Sequence, residues 1–227
     1  MNLLLSNFKI QTNPNLYIKE PTSSELGKKI IANGITLIEE LGFENFTFRK
    51  LGQKIDSPEA SIYRYFESKN QLLAYITSWY WGWMEYRLVF ETANIPSAET
   101  RFEKAIALIT SCNSETLALQ ELDIQKVYKI IISESSKSYL TKDVDKANKE
   151  GSFHNYKQFV GRLVEIIYEI NPKYKYPNML ITTIIEGAHL QVFFAEHLPR
   201  LTNKQKSSNY ITTFYTNLGI QSIKNSK

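Results

Sequence analysis

The residues best suited to chemistry lie in one short polar segment of the N-terminal third. Four side chains with hydroxyl or guanidinium groups flank the apolar Ile62, namely Ser61, Tyr63, Arg64 and Tyr65. Such groups bond phosphates and base edges, and tyrosine rings contact thymine methyl groups. With Ile62 facing inward, the four polar side chains are expected to point outward. This pattern indicates a surface for double-stranded DNA.

Two short predicted helices hold this surface. Thr47 suits the N-cap of a helix over 48–55. Ser57 suits the N-cap of a second helix over 58–65, whose first residue is a proline. Helices of about eight residues are not stable alone, so they need longer neighbours. Two short helices joined by a tight turn are typical of a helix-turn-helix, whose second helix enters the major groove.

Longer amphipathic helices are predicted on either side of this pair. The first begins at Ser23 or Ser24 and ends at Gly42, a residue common at helix C-termini. The second, over 69–92, follows a capping box at 68–71. Lys69 lies in its first turn, where a cation and free backbone N–H groups can meet one phosphate.

Apolar residues at helical spacing continue towards the C-terminus, and no segment alternates as a strand would. The chain is therefore predicted to be all-α, with a three-helix helix-turn-helix head and a C-terminal helical bundle that forms a dimer, about nine or ten helices in total. Later helices are expected around Phe102, over 119–136, 153–170 and 178–198, and after a capping box at 202–205, with 137–151 as a surface connection. The predicted domains are an arm (1–21), a DNA-binding domain (22–76) and a ligand-binding and dimerisation domain (77–227).

The order and spacing of the head residues resemble those of the tetracycline-repressor (TetR) family. The resemblance rests on Phe-Thr-Phe-Arg-Lys-Leu at 46–51, Ala-Ser-Ile-Tyr-Arg-Tyr-Phe at 60–66, and the following Lys69 with two leucines at 72–73. It covers residues 24–76, about a quarter of the chain. One departure is Asp56, which stands where the family usually has a glycine in the turn. Aspartate tolerates a left-handed conformation less well than glycine.

The resemblance implies a homodimeric, ligand-responsive transcriptional regulator of the repressor type that binds a partly palindromic operator. Carried over by position, the implied DNA contacts are Thr47, Arg49, Glu59, Ala60, Ser61, Tyr63, Arg64, Tyr65 and Lys69. The alternative is a helical ligand-binding or protein-interaction protein whose head is vestigial. Salt-dependent retention on DNA discriminates the two, because only phosphate contacts release counterions.

The aromatic face of the helix over 69–92 is a candidate effector pocket, as the family resemblance implies. The expected lining residues are Trp83, Tyr86, Phe90, Phe102 and Tyr128, which would suit a small apolar or aromatic effector. Plain core packing is the competing interpretation, and periodicity alone does not separate the two. Two apolar helices are similarly predicted to form a four-helix interface with a second copy, through Phe159, Leu163, Ile167, Ile184, Ala188 and Val192. Burial within one subunit is the competing interpretation there.

Composition narrows the classes of function that fit the chain. The formal net charge of +4 is only a mild indication of a polyanionic partner. The single cysteine, Cys112, cannot form an intrachain disulfide, which fits a cytoplasmic protein, and no signal peptide or membrane span is predicted. Glu186 and His189 have the Glu-x-x-His spacing of di-iron bundles, but no second such pair exists. Neither an enzyme activity nor a metal or other cofactor is expected.

Overall fold

The computed structural model describes residues 10–110, 122–205, 207 and 209–225, and the regular secondary structure in these ranges is helical, with no strand. Eleven α-helices, α1 to α11, occur in the described part. In chain order they are Glu25–Leu41, Phe48–Lys54, Glu59–Tyr63, Lys69–Thr92, Ala98–Thr110, Ile124–Glu134, Ser136–Tyr139, Val144–Lys149, His154–Ile170, Pro177–His197 and Tyr210–Asn225. The all-α prediction is confirmed. Cys112 lies outside the described residues.

The residues predicted to cap the first two helices do cap them. The Ser24 side chain accepts a hydrogen bond from the Gly27 backbone N–H at 3.2 Å and so caps α1. Gly42 ends α1 with a φ of 74°, a conformation that glycine adopts at little cost. Thr47 caps α2 by accepting from the Lys50 N–H at 3.2 Å. These caps satisfy backbone donors that the helices leave free.

The third helix is shorter than predicted. Pro58, not Ser57, is its N-cap residue, and it makes no side-chain capping bond. The Ser57 backbone N–H instead donates to the Gly52 carbonyl at 2.9 Å, so Ser57 belongs to the turn after α2. At the other end α3 stops at Tyr63, two residues before the predicted end. This early stop changes where the following side chains point.

Two predictions for the C-terminal half are wrong in detail. The segment 137–151 is not a plain connection, because it contains α7, beginning at Ser136, and α8. The last helix begins at Tyr210 and does not follow a capping box at 202–205. The Thr202 hydroxyl that would cap it donates to Gln191 Oε1 at 2.7 Å. The capping group therefore has another partner.

The chain divides into two compact units. Among the described residues, unit 1 comprises those within 10–82 and 122–155, and α6 packs on α1 within it. Unit 2 comprises the described residues within 83–110 and 156–225, where α11 packs on α5 and α10. The predicted functional domains over 1–21, 22–76 and 77–227 stay predictions. Among the described helices, none is both long enough and apolar enough to span a membrane.

Candidate nucleic-acid interface

The turn between α2 and α3 is built around two backbone features. Asp56 has a φ of 52°, so it adopts the left-handed conformation in the position where the sequence departs from glycine. Aspartate is one of the few residue types that visit this region, so the turn forms without glycine there. The bond between the Ser57 N–H and the Gly52 carbonyl closes the turn.

Gly52 is a residue whose importance the sequence analysis missed. A Cβ atom on this residue would lie 2.6 Å from the Ser57 carbonyl oxygen and 3.4 Å from the Glu59 backbone nitrogen. Only glycine permits this close approach of α2 to the turn. Its position four residues before Asp56 was a possible signal, but helix interiors also contain glycines that nothing approaches.

Most of the predicted DNA contacts are accessible. Thr47, Arg49, Ala60 and Arg64 are exposed, Tyr63 is 47% exposed, and Glu59 and Ser61 are half-buried. Packing orients the tyrosine, because its ring meets that of Phe48 edge-on at 5.1 Å and its hydroxyl donates to Glu59 Oε1 at 3.4 Å. A shallow groove of about 400 Å³ runs beside these residues, lined by Arg49, Gly52, Gln53, Asp56, Ser57, Pro58 and Glu59.

Tyr65 does not point outward as predicted. Its side chain is only 4% exposed, and its hydroxyl lies 2.8 Å from the Ser24 Oγ. The prediction assumed a helix as far as residue 65, but α3 ends at Tyr63. Helical periodicity therefore no longer sets the direction of the Tyr65 side chain, which turns into the core of the head.

Lys69 has protein partners for its ammonium group. Its Nζ donates to the carbonyl oxygens of Phe43, Glu44 and Phe46 at 2.9, 3.1 and 3.3 Å. It also lies 4.7 Å from the centre of the Phe43 ring. An ammonium group has three donors, so these three carbonyls satisfy it. The phosphate contact implied for Lys69 stays a prediction.

A Lys69→Ala variant tests which role the lysine has. We expect it to lower the free energy of unfolding by roughly 1–3 kcal/mol, because part-buried carbonyls lose their donor. If the three carbonyls are the only partners of the ammonium group, the dependence of DNA affinity on salt should keep its slope. Urea unfolding and a salt titration of DNA binding measure the two effects. A slope smaller by about 1 with unchanged stability would instead establish the phosphate role.

The loop that Lys69 holds is also held from the other side. Glu134, at the end of α6, accepts from the Phe43 backbone N–H at 3.1 Å. Lys137 bridges Glu134 and Glu44 at 2.8 and 2.9 Å. The hydrogen bond from Lys137 lowers the pKa of Glu44, and the bond to Glu134 raises the pKa of Lys137. Glu134 and Lys137 thus hold the loop before α2 in place. Local sequence signals do not reveal this long-range contact.

The aromatic side chains predicted to line a pocket are only partly buried. Trp83 and Phe102 are buried in unit 2, and Tyr86 is half-buried. Phe90 is 58% exposed and stacks on Tyr86 with ring centres 6.3 Å apart, so the inward face ends before it. Tyr128 is buried in unit 1. An effector site on these residues stays a prediction.

The residues predicted to meet a second copy are core residues of unit 2. Five have no exposed surface, namely Phe159, Leu163, Ile167, Ile184 and Ala188, and Val192 is half-buried. For these five side chains the interface prediction is wrong, and burial within one subunit is the correct interpretation. Periodicity identifies a buried helix face but not which chain buries it.

A comparison with family models identifies the head. Residues 30–76 match the model described as bacterial regulatory proteins, tetR family. The head belongs to the tetR family. The match covers α2, α3 and most of α1, so the turn at Gly52 and Asp56 lies within the segment that matches the tetR-family model. No curated protein sequence matches the chain.

Solved structures extend the likeness to the fold of most of the chain. A Saccharomonospora viridis protein assigned as a transcriptional regulator, in complex with choline, is 16% identical over 84% of this chain and 93% of its own, with a TM-score of 0.58. AibR with isovaleryl coenzyme A and operator DNA is 16% identical over 84% and 97%, with a TM-score of 0.57. The fatty acid degradation regulator FadR from Bacillus halodurans is 14% identical over 88% and 98%, with a TM-score of 0.56. At these identities the comparison shows the fold.

Proposed function

We propose that this tetR-family protein is a cytoplasmic DNA-binding transcriptional regulator, acting as a ligand-responsive repressor on a partly palindromic operator. The observation that carries the proposal is the exposure of Tyr63 and Arg64 at the end of α3, in a helix-turn-helix matched by the tetR-family model. The second short helix of such a pair is the one that enters the major groove. No catalytic role is assigned to the chain.

Each contact has a physical role in this proposal. The Arg64 guanidinium bonds a phosphate or a guanine edge, and the Tyr63 ring and hydroxyl contact a thymine methyl group or a phosphate. Arg49 adds an exposed cation on α2 beside the groove. Glu59 is acidic, and its carboxylate accepts a hydrogen bond from the Tyr63 hydroxyl. Tyr65 is not a contact in this arrangement.

The proposed second copy meets unit 2 through exposed apolar side chains. Met179 and Leu190 on α10 are 67% and 49% exposed, and Phe214 on α11 is 58% exposed. Large exposed apolar residues on one unit suit a protein–protein contact. Two heads held one or more turns of the DNA double helix apart would then read the two halves of an operator.

The proposed effector is a small, largely apolar molecule that unit 2 binds through residues such as Trp83, Tyr86 and Phe102. AibR is described with isovaleryl coenzyme A and operator DNA together, and the Saccharomonospora viridis regulator with choline. These relatives of like fold support an effector-binding role. A ligand regulates DNA binding only if its affinity differs between two states of the protein.

The test compares Tyr63→Ala and Arg64→Ala with the wild-type protein. We expect each variant to bind operator DNA about tenfold or more weakly, since a good base contact contributes roughly 1–3 kcal/mol. Arg64→Ala should also reduce the salt slope by about 1 if the guanidinium bonds a phosphate. DNA fragments selected from a random pool serve as the ligand, and the wild-type complex should contain an even number of chains.

A charge-matched control separates local contacts from overall charge. Lys146 lies on α8 of unit 1 with a side chain that is 77% exposed, so Lys146→Ala removes one positive charge at little structural cost. Its DNA affinity should equal that of the wild type. If the wild-type protein shows no salt-dependent DNA binding, the proposed function is wrong. If both head variants bind as tightly as the control, this docking mode is wrong.

A further inference from the structure

Residues 10–21 lie against the head, and we call them the strap. We propose that the strap positions α3 for DNA binding, so that the Ile18 backbone and the Tyr65 side chain are positioning residues that set DNA affinity without contacting DNA. This inference rests on the proposed DNA-binding function. It assigns a role to two features that DNA contact does not use, the packed arm and the buried tyrosine.

The strap meets α3 just beyond its C-terminal end. The Ile18 backbone N–H donates to the Tyr65 carbonyl oxygen at 2.8 Å. The Tyr65 hydroxyl is 2.8 Å from the Ser24 Oγ, the same hydroxyl that caps α1. Lys19 Nζ lies 5.3 Å from the centre of the Tyr65 ring, within the range of a cation–π contact. Residue 65 is therefore held at its carbonyl, its hydroxyl and its ring.

A helix as short as α3 depends on such contacts. It has five residues, from Glu59 to Tyr63, and its N-cap makes no side-chain hydrogen bond. Helices this short are not stable by themselves, and their last carbonyl groups lack partners within the helix. The orientation of Tyr63 and Arg64 is consequently set by what holds the chain on either side of them. Gly52 and Asp56 hold the N-terminal side, and the strap holds the C-terminal side.

The other end of the strap is anchored within unit 1. Asn13 and Asn15 both donate from Nδ2 to the Glu150 carbonyl, at 2.7 and 3.0 Å. The buried Asn155 donates from Nδ2 to the Gln11 and Ser78 carbonyls, at 2.9 and 3.0 Å. Two more strap residues are buried side chains of the core, Leu16 and Ile10.

The strap is also seated against α1. Gly27 in the first turn of α1 approaches the Pro21 backbone so closely that a Cβ atom would collide with the Pro21 carbonyl group. The Gln71 side chain, at the start of α4, donates to the Asn15 carbonyl at 3.3 Å. The strap is therefore held by contacts at both ends and along its length.

An Ile18→Pro substitution tests the strap directly, because proline lacks the N–H that bonds Tyr65. Tyr17 has φ −153° and ψ 156°, the extended conformation that a residue before proline prefers. The Ile18 side chain is 57% exposed, so Ile18→Val is the matched control that keeps the N–H. We expect Ile18→Pro to bind operator DNA about three- to tenfold more weakly than Ile18→Val, with the same salt slope.

The unchanged slope distinguishes positioning from a direct phosphate contact, which would reduce the slope by about 1. Hydrogen exchange of residues 59–66 in the DNA-free protein gives a second readout, and it should be faster in Ile18→Pro than in Ile18→Val. Tyr65→Phe removes only the hydroxyl, so it provides the same test if the proline variant does not fold. Its expected effect is a roughly threefold weaker affinity, again with the wild-type slope.

The outcomes separate this inference from the proposed function. Equal DNA affinity for Ile18→Pro and Ile18→Val, or for Tyr65→Phe and wild type when the proline variant is unfolded, overturns the positioning role alone. A smaller salt slope in these variants also overturns it, because the strap would then contact phosphate. A wild-type protein that does not bind DNA overturns the proposed function, whatever the exchange rates show.

Discussion

Replacing Gly52 with alanine should weaken operator binding by roughly a hundredfold. The new Cβ atom would lie 2.6 Å from the Ser57 carbonyl oxygen, which belongs to the backbone and has no rotamer to change. The helix-turn-helix must therefore open, and overpacking of this kind costs about 1–3 kcal/mol. If restoring the DNA-binding geometry requires an energy near the top of that range, the DNA affinity falls by the expected hundredfold. Titration with operator DNA at a temperature where the variant is folded measures it.

Gly161→Ala is the matched control for this substitution. Gly161 lies within α9, and no heavy atom is found within 4 Å of the position that its Cβ would occupy. The same chemical change should leave DNA affinity unaltered and raise stability by about 0.5–1 kcal/mol, because alanine favours the helix. If Gly52→Ala binds operator DNA as tightly as Gly161→Ala, the turn tolerates the extra atom and the close approach has no functional importance.

Acidification from pH 7 to pH 4 should cost the protein about 3 kcal/mol of stability through His189 alone. This histidine is buried on α10, and burial lowers its pKa from 6.5 to about 4 because the charged form loses its hydration. Between these values the unfolded chain binds a proton that the folded chain does not. Stability is therefore retained above pH 6.5 and declines as the pH falls towards 4.

The contribution of His189 can be isolated with His189→Gln, which keeps a polar side chain but cannot titrate. Urea unfolding at pH 7, 5.5 and 4.5 should show a smaller loss of stability in this variant than in the wild type. His197→Gln is the matched control, because it makes the same substitution at an exposed histidine. Parallel profiles for His189→Gln and wild type would exclude burial of His189 as the source.

The best sequence predictions were those carried by local signals. Ser24, Thr47 and Gly42 cap helices where expected, and α4 has its predicted bounds, Lys69–Thr92. Capping depends on a side chain and backbone groups only a few residues away, so the local sequence contains the needed information. The same holds for the order and spacing of residues that identified a tetR-family head.

The sequence predictions are wrong where the contact partner of a side chain lies far from it in the sequence. Phe159 and Ile184 were placed at a subunit interface because both lie on apolar helix faces, yet their own subunit buries them completely. An apolar face must be covered, but periodicity does not specify the covering chain. The exposed residues now proposed for that contact, such as Met179 and Leu190, became identifiable only after the internal packing was known.

The amino-acid sequence by itself determined an all-helical chain, its principal helix ends and a tetR-family head, because these follow from periodicity, capping groups and residue spacing along the chain. The tertiary structure alone decided that Tyr65 turns inward to Ser24 and the strap, and that Lys69 bonds three carbonyls. Both side chains could satisfy their polar groups with DNA or with protein. The partner that each side chain finds depends on segments that folding brings together. Local sequence signals contain no information about these segments.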